Sequence, residues 1–335
     1  MTFNSENEKM INCLSKYLSR LKFLLVLLIL GSCQNKHSKL GSEQALESTI
    51  NSQIAKVEIR NENNEYQLYK DNKPYQVRGA GVQIDFLDSL AIHGGNSLRT
   101  WSTENATEVL QRAHAKGLTV SMGLWISPER HQFDYDDQQA VAAQFQKIKA
   151  EVLKYKDHPA LLNWVIGNEL NHGYTNHKVY DAVNDISKMI HEVDPRHLTT
   201  TTTSGINKEL ADVIKGRAPD LDFLSIQVYA AIANLPNDIK KSGWTGPYMI
   251  TEWGATGHWE VAVTDWGAPV EQNSTIKAER YLERYNSKIA PYMNQCIGYY
   301  VFLWGQKQER TPTWYGMFLE DGTATACVDA MHYVW

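Results

Sequence analysis

From residue 57 onward the chain carries two kinds of hydrophobic pattern in turn. Val57-Glu58-Ile59-Arg60 and Tyr66-Gln67-Leu68-Tyr69 alternate apolar with polar residues, and Asp71-Asn72-Lys73-Pro74 supplies a turn after them. This predicts a short N-terminal hairpin, suited to plug one end of a larger sheet. Apolar runs rich in Val, Ile, Leu and Tyr then predict strands at Tyr75–Val82, Asn96–Trp101, Thr119–Trp125, Leu161–Glu169, His197–Thr203, Phe223–Tyr229, Tyr248–Trp253 and Ile297–Trp304. The runs lack strict alternation, which is the mark of strands covered on both faces. Between them, Asn105–Lys116, Gln138–Tyr155, Lys178–Val193 and Ile276–Met293 space apolar residues three and four apart, as helices do, and Ala324–Val334 closes the series. Eight βα units in about 260 residues predict a single (β/α)₈ barrel. An open doubly wound sheet is the alternative, and the first strand is not followed by the Gly-x-Gly-x-x-Gly turn that would favour it.

The first fifty residues follow a different rule. Lys16, Arg20 and Lys22 precede the apolar run Phe23–Leu30, which ends at Gly31-Ser32-Cys33. A basic stretch, a short apolar run and small residues are the layout of a secretory signal. The run is too short for a membrane-spanning helix, which needs about 20 apolar residues. Leu30-Gly31-Ser32-Cys33 resembles the lipobox of bacterial lipoproteins. That resemblance implies lipidation of Cys33 and export to a bacterial membrane, on the periplasmic side or at the cell surface. Residues 34–54 are polar and lack Phe, Tyr and Trp, which predicts a flexible tether. The expected organisation is a signal at 1–33, a tether at 34–55 and a barrel domain at 56–335.

Composition narrows the chemistry. A formal net charge of -5 offers no electrostatic case for a nucleic-acid partner. The 10 Trp and 17 Tyr serve either as core or as flat platforms for sugar rings. Cys296 and Cys327 either pair or remain buried thiols. No cysteine shows metal-ligand spacing, no His/Asp cluster sits at the strand ends, and neither a metal nor a cofactor is expected.

In such barrels chemistry sits at the C-terminal ends of the strands. There the predicted strands place Arg99 and Trp101, Trp125, Asn168 and Glu169, Tyr229, Glu252 and Trp304. Two glutamates across one barrel mouth are what glycoside hydrolysis needs, one protonated to donate to the leaving oxygen and one ionised to attack the anomeric carbon. Arg99 and Tyr229 are expected to hold Glu252, and Asn168 to bond a sugar 2-hydroxyl. Trp304 is expected to floor the reacting subsite, with Trp101 and Trp125 flanking it. His172 and Lys307 are further candidates for the cleft wall, Lys307 from the polar and aromatic loop 305–315. Trp253, Trp259 and Trp266 are placed to extend the cleft.

His158-Pro159-Ala160-Leu161-Leu162-Asn163-Trp164-Val165-Ile166-Gly167-Asn168-Glu169 resembles the acid/base strand of clan A retaining glycosidases. With Asp194-Pro195-Arg196 and Ile250-Thr251-Glu252-Trp253-Gly254, it is most similar to the barrel domain of glycoside hydrolase family 2. The resemblance implies Glu169 as acid/base and Glu252 as nucleophile of a retaining β-glycosidase on a carbohydrate substrate. Three departures mark the chain, the first a strand one that ends Gly79-Ala80-Gly81-Val82-Gln83 without the histidine that family 2 enzymes often place there. Only a hairpin stands where that family carries β-sandwich domains, and Asn96-Ser97-Leu98-Arg99-Thr100-Trp101 is more like the β-glucan-active families 5, 17 and 72. A β-linked oligo- or polysaccharide, such as a β-glucan, is therefore the expected substrate. A transglycosylase on the same barrel and a non-catalytic glycan-binding lipoprotein remain as alternatives.

Overall fold

A computed structural model describes residues 55–63 and 65–335. The expected signal, nearly all of the tether and Cys33 lie outside the described residues. Ala55–Trp335 form one compact unit. An antiparallel sheet comes first, of β1 (Val57–Glu62), β2 (Glu65–Lys70) and β3 (Lys73–Pro74), one strand more than the expected hairpin. Eight parallel strands follow: β4 (Val77–Val82), β5 (Ser97–Arg99), β6 (Thr119–Leu124), β7 (Leu161–Ile166), β8 (Leu198–Ser204), β9 (Phe223–Gln227), β10 (Tyr248–Gly254) and β11 (Cys296–Trp304). Each pairs with the next, and β11 pairs with β4 to close the ring. This is the (β/α)₈ barrel that the hydrophobic pattern predicts.

Every residue of β6, β7 and β11 is buried, because side chains fill the barrel on one face and meet helices on the other. Val57 and Leu68 of the N-terminal sheet join Val77, Leu162, Phe223, Met249 and Ile297 in a second apolar cluster. These five lie in the first half of each strand or next to it, so the small sheet stoppers the N-terminal end of the barrel. Val57 N–H donates to the Arg196 carbonyl at 2.9 Å and Tyr66 N–H to the Asn294 carbonyl at 2.7 Å, which ties the stopper to the loops entering β8 and β11.

The outer layer holds α1 (Leu87–Ile92), α2 (Ala106–Ala115), α3 (Gln138–Tyr155), α4 (Lys178–Val193), α5 (Lys208–Arg217), α6 (Leu235–Ser242), α7 (Ser274–Arg284) and α8 (Ala326–Val334). On α4, Val179, Val183, Ile186 and Ile190 form one buried stripe. Each such aliphatic side chain stabilises the fold by roughly 1.5–3 kcal/mol. The expected helix Ile276–Met293 is shorter than its pattern. It ends at Arg284 and passes into a π turn at Tyr285–Ile289 and a 3-10 turn at Ala290–Tyr292. Pro291 lacks the N–H that a continuing helix would use. Cys296 and Cys327 are free, buried thiols. Among the described residues no helix is long and apolar enough to cross a membrane.

One buried carboxylate braces the strand that leads to Glu169. Asp194, 3% exposed, accepts from Trp164 Nε1 of β7 at 2.8 Å and lies 2.9 Å from His197 Nδ1. Asp194→Ala would leave both ring N–H groups buried and unsatisfied, at about 1–3 kcal/mol each. The variant is expected to lose about 2–6 kcal/mol in urea unfolding.

Candidate active site

Past the end of β7 the backbone turns sharply. Gly167 has φ +76°, and Glu169 itself sits in the left-handed region at φ +48°. A non-glycine residue holds that conformation when its surroundings impose it. Thr202 of β8 does so through one hydroxyl, which accepts from Glu169 N–H at 3.0 Å and donates to the Gly167 carbonyl at 3.2 Å. Arg130 holds the other side, donating to the carbonyls of Asn168, at 3.2 Å, and Glu169. A Cβ on Gly167 would come within 2.6 Å of Leu170, so the turn needs glycine for space as well as for conformation.

Glu252 lies within β10 and is 7% exposed. Its Oε1 accepts from Arg99 Nη1 at 2.7 Å and Trp101 Nε1 at 2.8 Å, and its Oε2 from Tyr229 Oη at 2.9 Å. Three donors face it, the environment of an anion. Burial holds the Tyr229 hydroxyl proton far above its usual range, with Glu252 adding to the effect, so Tyr229 remains a donor. The Trp101 indole fits because glycines clear its place. A Cβ on Gly123 would lie 2.4 Å from the Trp101 carbonyl carbon, and one on Gly81 would lie 2.8 Å from the ring.

Arg99 links the two acids. It is fully buried, and its Nη2 donates to Asn168 Oδ1 at 2.6 Å, where Gln227 Nε2 also donates at 2.8 Å. Two donors on the amide oxygen fix the orientation of Asn168 and leave its NH₂ for a ligand. Arg99 therefore acts from beneath the site, holding Glu252 and Asn168, and does not line the cleft as a substrate-binding residue should.

Glu169 and Glu252 open onto one cleft of about 910 Å³, whose wall also includes Trp101, Asn168, His172, Tyr229 and Lys307. Their electrostatics differ. Burial pushes the Glu169 carboxyl up to about 7, and the neighbouring Glu252 adds to the rise, while Arg130 and Arg99 oppose it. One acid thus holds a proton near neutral pH, and the other accepts from a guanidinium, an indole and a phenol. Such a pair can protonate a leaving group and attack carbon from one pocket.

Several expectations are corrected. Trp304 is fully buried among Trp335, Phe318 and His93, and floors no subsite. The pairing of β11 with β4 is irregular between Val301 and Trp304, so the inward alternation ends before residue 304, and Phe302 meets the cleft instead. Trp125 lies past the end of β6 with its ring stacked on His131 at 6.0 Å, off the cleft wall. Trp253 is fully buried, and Trp266, 81% exposed, is not part of the wall either. Trp259 is, with its ring edge-on to Tyr229 at 5.6 Å.

Sequence reasoning missed four supports, Thr202, Arg130, Gln227 and Glu260. The Glu260 carboxylate accepts from the N–H groups of Ala230, Ala231 and Gly257 at 2.8–3.0 Å, and so ties the loop after Tyr229 to the loop after β10. A five-threonine run in one strand, Thr199–Thr203, was the available signal for Thr202, since buried hydroxyls must find partners. Another tie holds the wall loop after β11. Glu271 accepts from Thr311 Oγ1, from Thr313 Oγ1 at 2.9 Å and from Lys277 Nζ, and Lys277 also donates to the Thr313 carbonyl at 2.6 Å.

Comparison with known proteins agrees with this architecture. Residues 76–297 match the family model "Glycosyl hydrolases family 2, TIM barrel domain". A β-D-glucuronidase of Dictyoglomus thermophilum has a similar structure, with a TM-score of 0.64 and 15% identity over 83% of this chain and 53% of that one. A GH2 β-galacturonidase of Eisenbergiella tayi gives a TM-score of 0.62 at 15% identity, over 83% of this chain and 53% of that one. At these identities the likeness shows the fold. Mannan endo-1,4-beta-mannosidase F of Aspergillus clavatus is 32% identical over 99 residues, 25% of this chain and 23% of that protein. The chain thus spans about half the length of these structures and about a quarter of that curated relative. With the matched segment running from before β4 into β11 and taking in both mouth glutamates, the chain belongs to glycosyl hydrolase family 2 through its TIM-barrel domain.

Proposed function

We propose that the protein is a retaining β-glycosidase that hydrolyses a β-linked oligo- or polysaccharide by double displacement. The observation that carries this reading is the unlike pair in one cleft, Glu169 raised to about 7 and Glu252 held by three donors. Glu252 attacks the anomeric carbon while Glu169 protonates the departing oxygen. Glu169 then takes a proton from the water that releases the sugar. The Asn168 NH₂ bonds the sugar 2-hydroxyl, and the exposed Trp259 stacks a neighbouring ring, which favours a chain of sugars over a single one. The names of the relatives add β-mannans to β-glucans as polymers worth trying. The lipidated Cys33, with the signal before it and the tether after it, completes the proposal as an anchor for an exported enzyme.

The test is a panel of β-glucans, β-mannans and aryl β-glycosides, with wild type and Glu169→Ala. Azide is expected to restore turnover of an activated aryl substrate to Glu169→Ala and to give a β-azide. Wild-type activity retained by Glu169→Ala on every substrate would defeat the assignment.

The raised carboxyl also sets a pH limb. Glu169 must be protonated to donate, so kcat/KM falls as pH rises through about 7. The same shift affects folding. The native state holds this proton more tightly than the unfolded chain does, so its stabilising effect is present at low pH and is lost as pH rises from 4.5 to about 7. Glu169→Gln is therefore expected to be more stable than wild type above pH 7, by roughly 3 kcal/mol at most, with the difference closing below 4.5. Urea midpoints measured across pH check this.

A further inference from the structure

We infer that the cleft selects neutral sugars, and that the Lys307–Glu309 pair on its wall is what withholds a cation from the carboxylate of a uronic acid. The inference rests on the reading of the cleft as a glycosidase site and names the substrate class within it. Among the described residues the wall carries the carboxylates Glu252, Glu260 and Glu309, and the Glu169 carboxyl that holds its proton near neutral pH, against one ammonium, Lys307. That ammonium is already engaged, with Nζ 2.7 Å from Glu309 Oε2. Arg99 is no substitute, since its side chain is 1% exposed and its Nη1 and Nη2 donate to Glu252, Asn168 and the Thr251 carbonyl. Arg130 is not part of the wall, and its Nη1 and Nη2 donate to the carbonyls of Asn168, Glu169 and His172. The imidazole of His172 is the remaining basic group on the wall.

A uronate entering this cleft would lose water from its carboxylate, meet like charges and find its one ammonium engaged. A neutral hydroxymethyl group at the same carbon meets no such opposition. The negative field also shows on Tyr315. Burial is the main cause of its rise to about 12, and Glu309, Glu260 and Glu252 add to it. The uronate-cleaving enzymes of similar structure share the barrel at 15% identity, so fold does not carry their charge preference into this chain.

The test uses aryl β-glycoside pairs that differ only at C6: glucoside and glucuronide, galactoside and galacturonide, mannoside and mannuronide. In each pair that reacts, the neutral member is expected to have the higher kcat/KM, by about 100-fold or more. Glu309→Gln frees the ammonium and should narrow the ratio by about tenfold. A uronate that reacts as well as its neutral partner overturns the inference, and a ratio unmoved in Glu309→Gln overturns the role of the pair. Calorimetric binding to Glu169→Gln decides if no aryl pair reacts, with neutral β-1,4-linked gluco- and manno-oligosaccharides set against oligomannuronates. Neutral oligosaccharides bound there but never cleaved by wild type would uphold the selectivity and sink the glycosidase reading. Binding of oligomannuronates alone, or of neither class, would overturn the selectivity.

Discussion

Glu252→Ala is expected to lower kcat/KM on every substrate of the wild type by about 10⁴-fold or more, the scale seen when a nucleophile is removed from a catalytic group acting as a unit. Azide added to this variant should occupy the vacated space and attack from the nucleophile's side, giving an α-azide. The two azide products therefore separate the roles of the acids, since Glu169→Ala gives the opposite anomer. Formation of the α-azide also shows that the remaining cleft is assembled, which answers the concern that Arg99, Trp101 and Tyr229 have lost their shared acceptor. Nuclear magnetic resonance of the product reads the anomer. A β-azide from Glu252→Ala, or full activity without azide, would remove Glu252 from its role.

Arg99→Met should cost stability and catalysis together. The guanidinium is fully buried and joins Glu252 to Asn168 at 2.7 and 2.6 Å. Methionine fills similar space but leaves the Glu252 carboxylate buried without its cation. Breaking a buried pair in this way costs about 3–5 kcal/mol. Activity should fall by about 10²–10³-fold through kcat, because both Glu252 and the amide oriented toward the sugar lose their hold. Arg99→Lys should recover part of the stability and little of the activity, since an ammonium cannot reach both partners as a planar fork does. Chemical denaturation and kcat measured on the same preparations check both parts. A variant with normal kcat would reduce Arg99 to a structural group.

The two glutamates were legible because strand ends were legible. Apolar runs such as Trp164–Ile166 and Tyr248–Ile250 lead into polar residues, and a barrel directs such residues to one mouth. Trp304 was misplaced because its position at a strand end was taken to put it at the mouth, and the register irregularity that turns it away is not marked in the sequence. Helices α5 and α6 escaped because Leu210, Ala211 and Ile214, or Leu235 and Ile239, make too short a stripe for periodicity to register. The Asn207 side chain, which caps Leu210 N–H at 2.8 Å, was a usable start signal for α5. Thr202, Arg130 and Gln227 escaped for a different reason. Each acts on another residue's backbone or amide, and partnerships across 33 to 59 positions leave no local pattern.

The tie of Glu271 and Lys277 to Thr311 and Thr313 bears on how sugar traffic is managed. An enzyme with a swinging flap spends part of each cycle opening and shutting it. Here the last mouth loop is bolted to the first turn of α7, so the trough stands ready-made. On the proposed reading, motion of this loop is not expected to limit turnover.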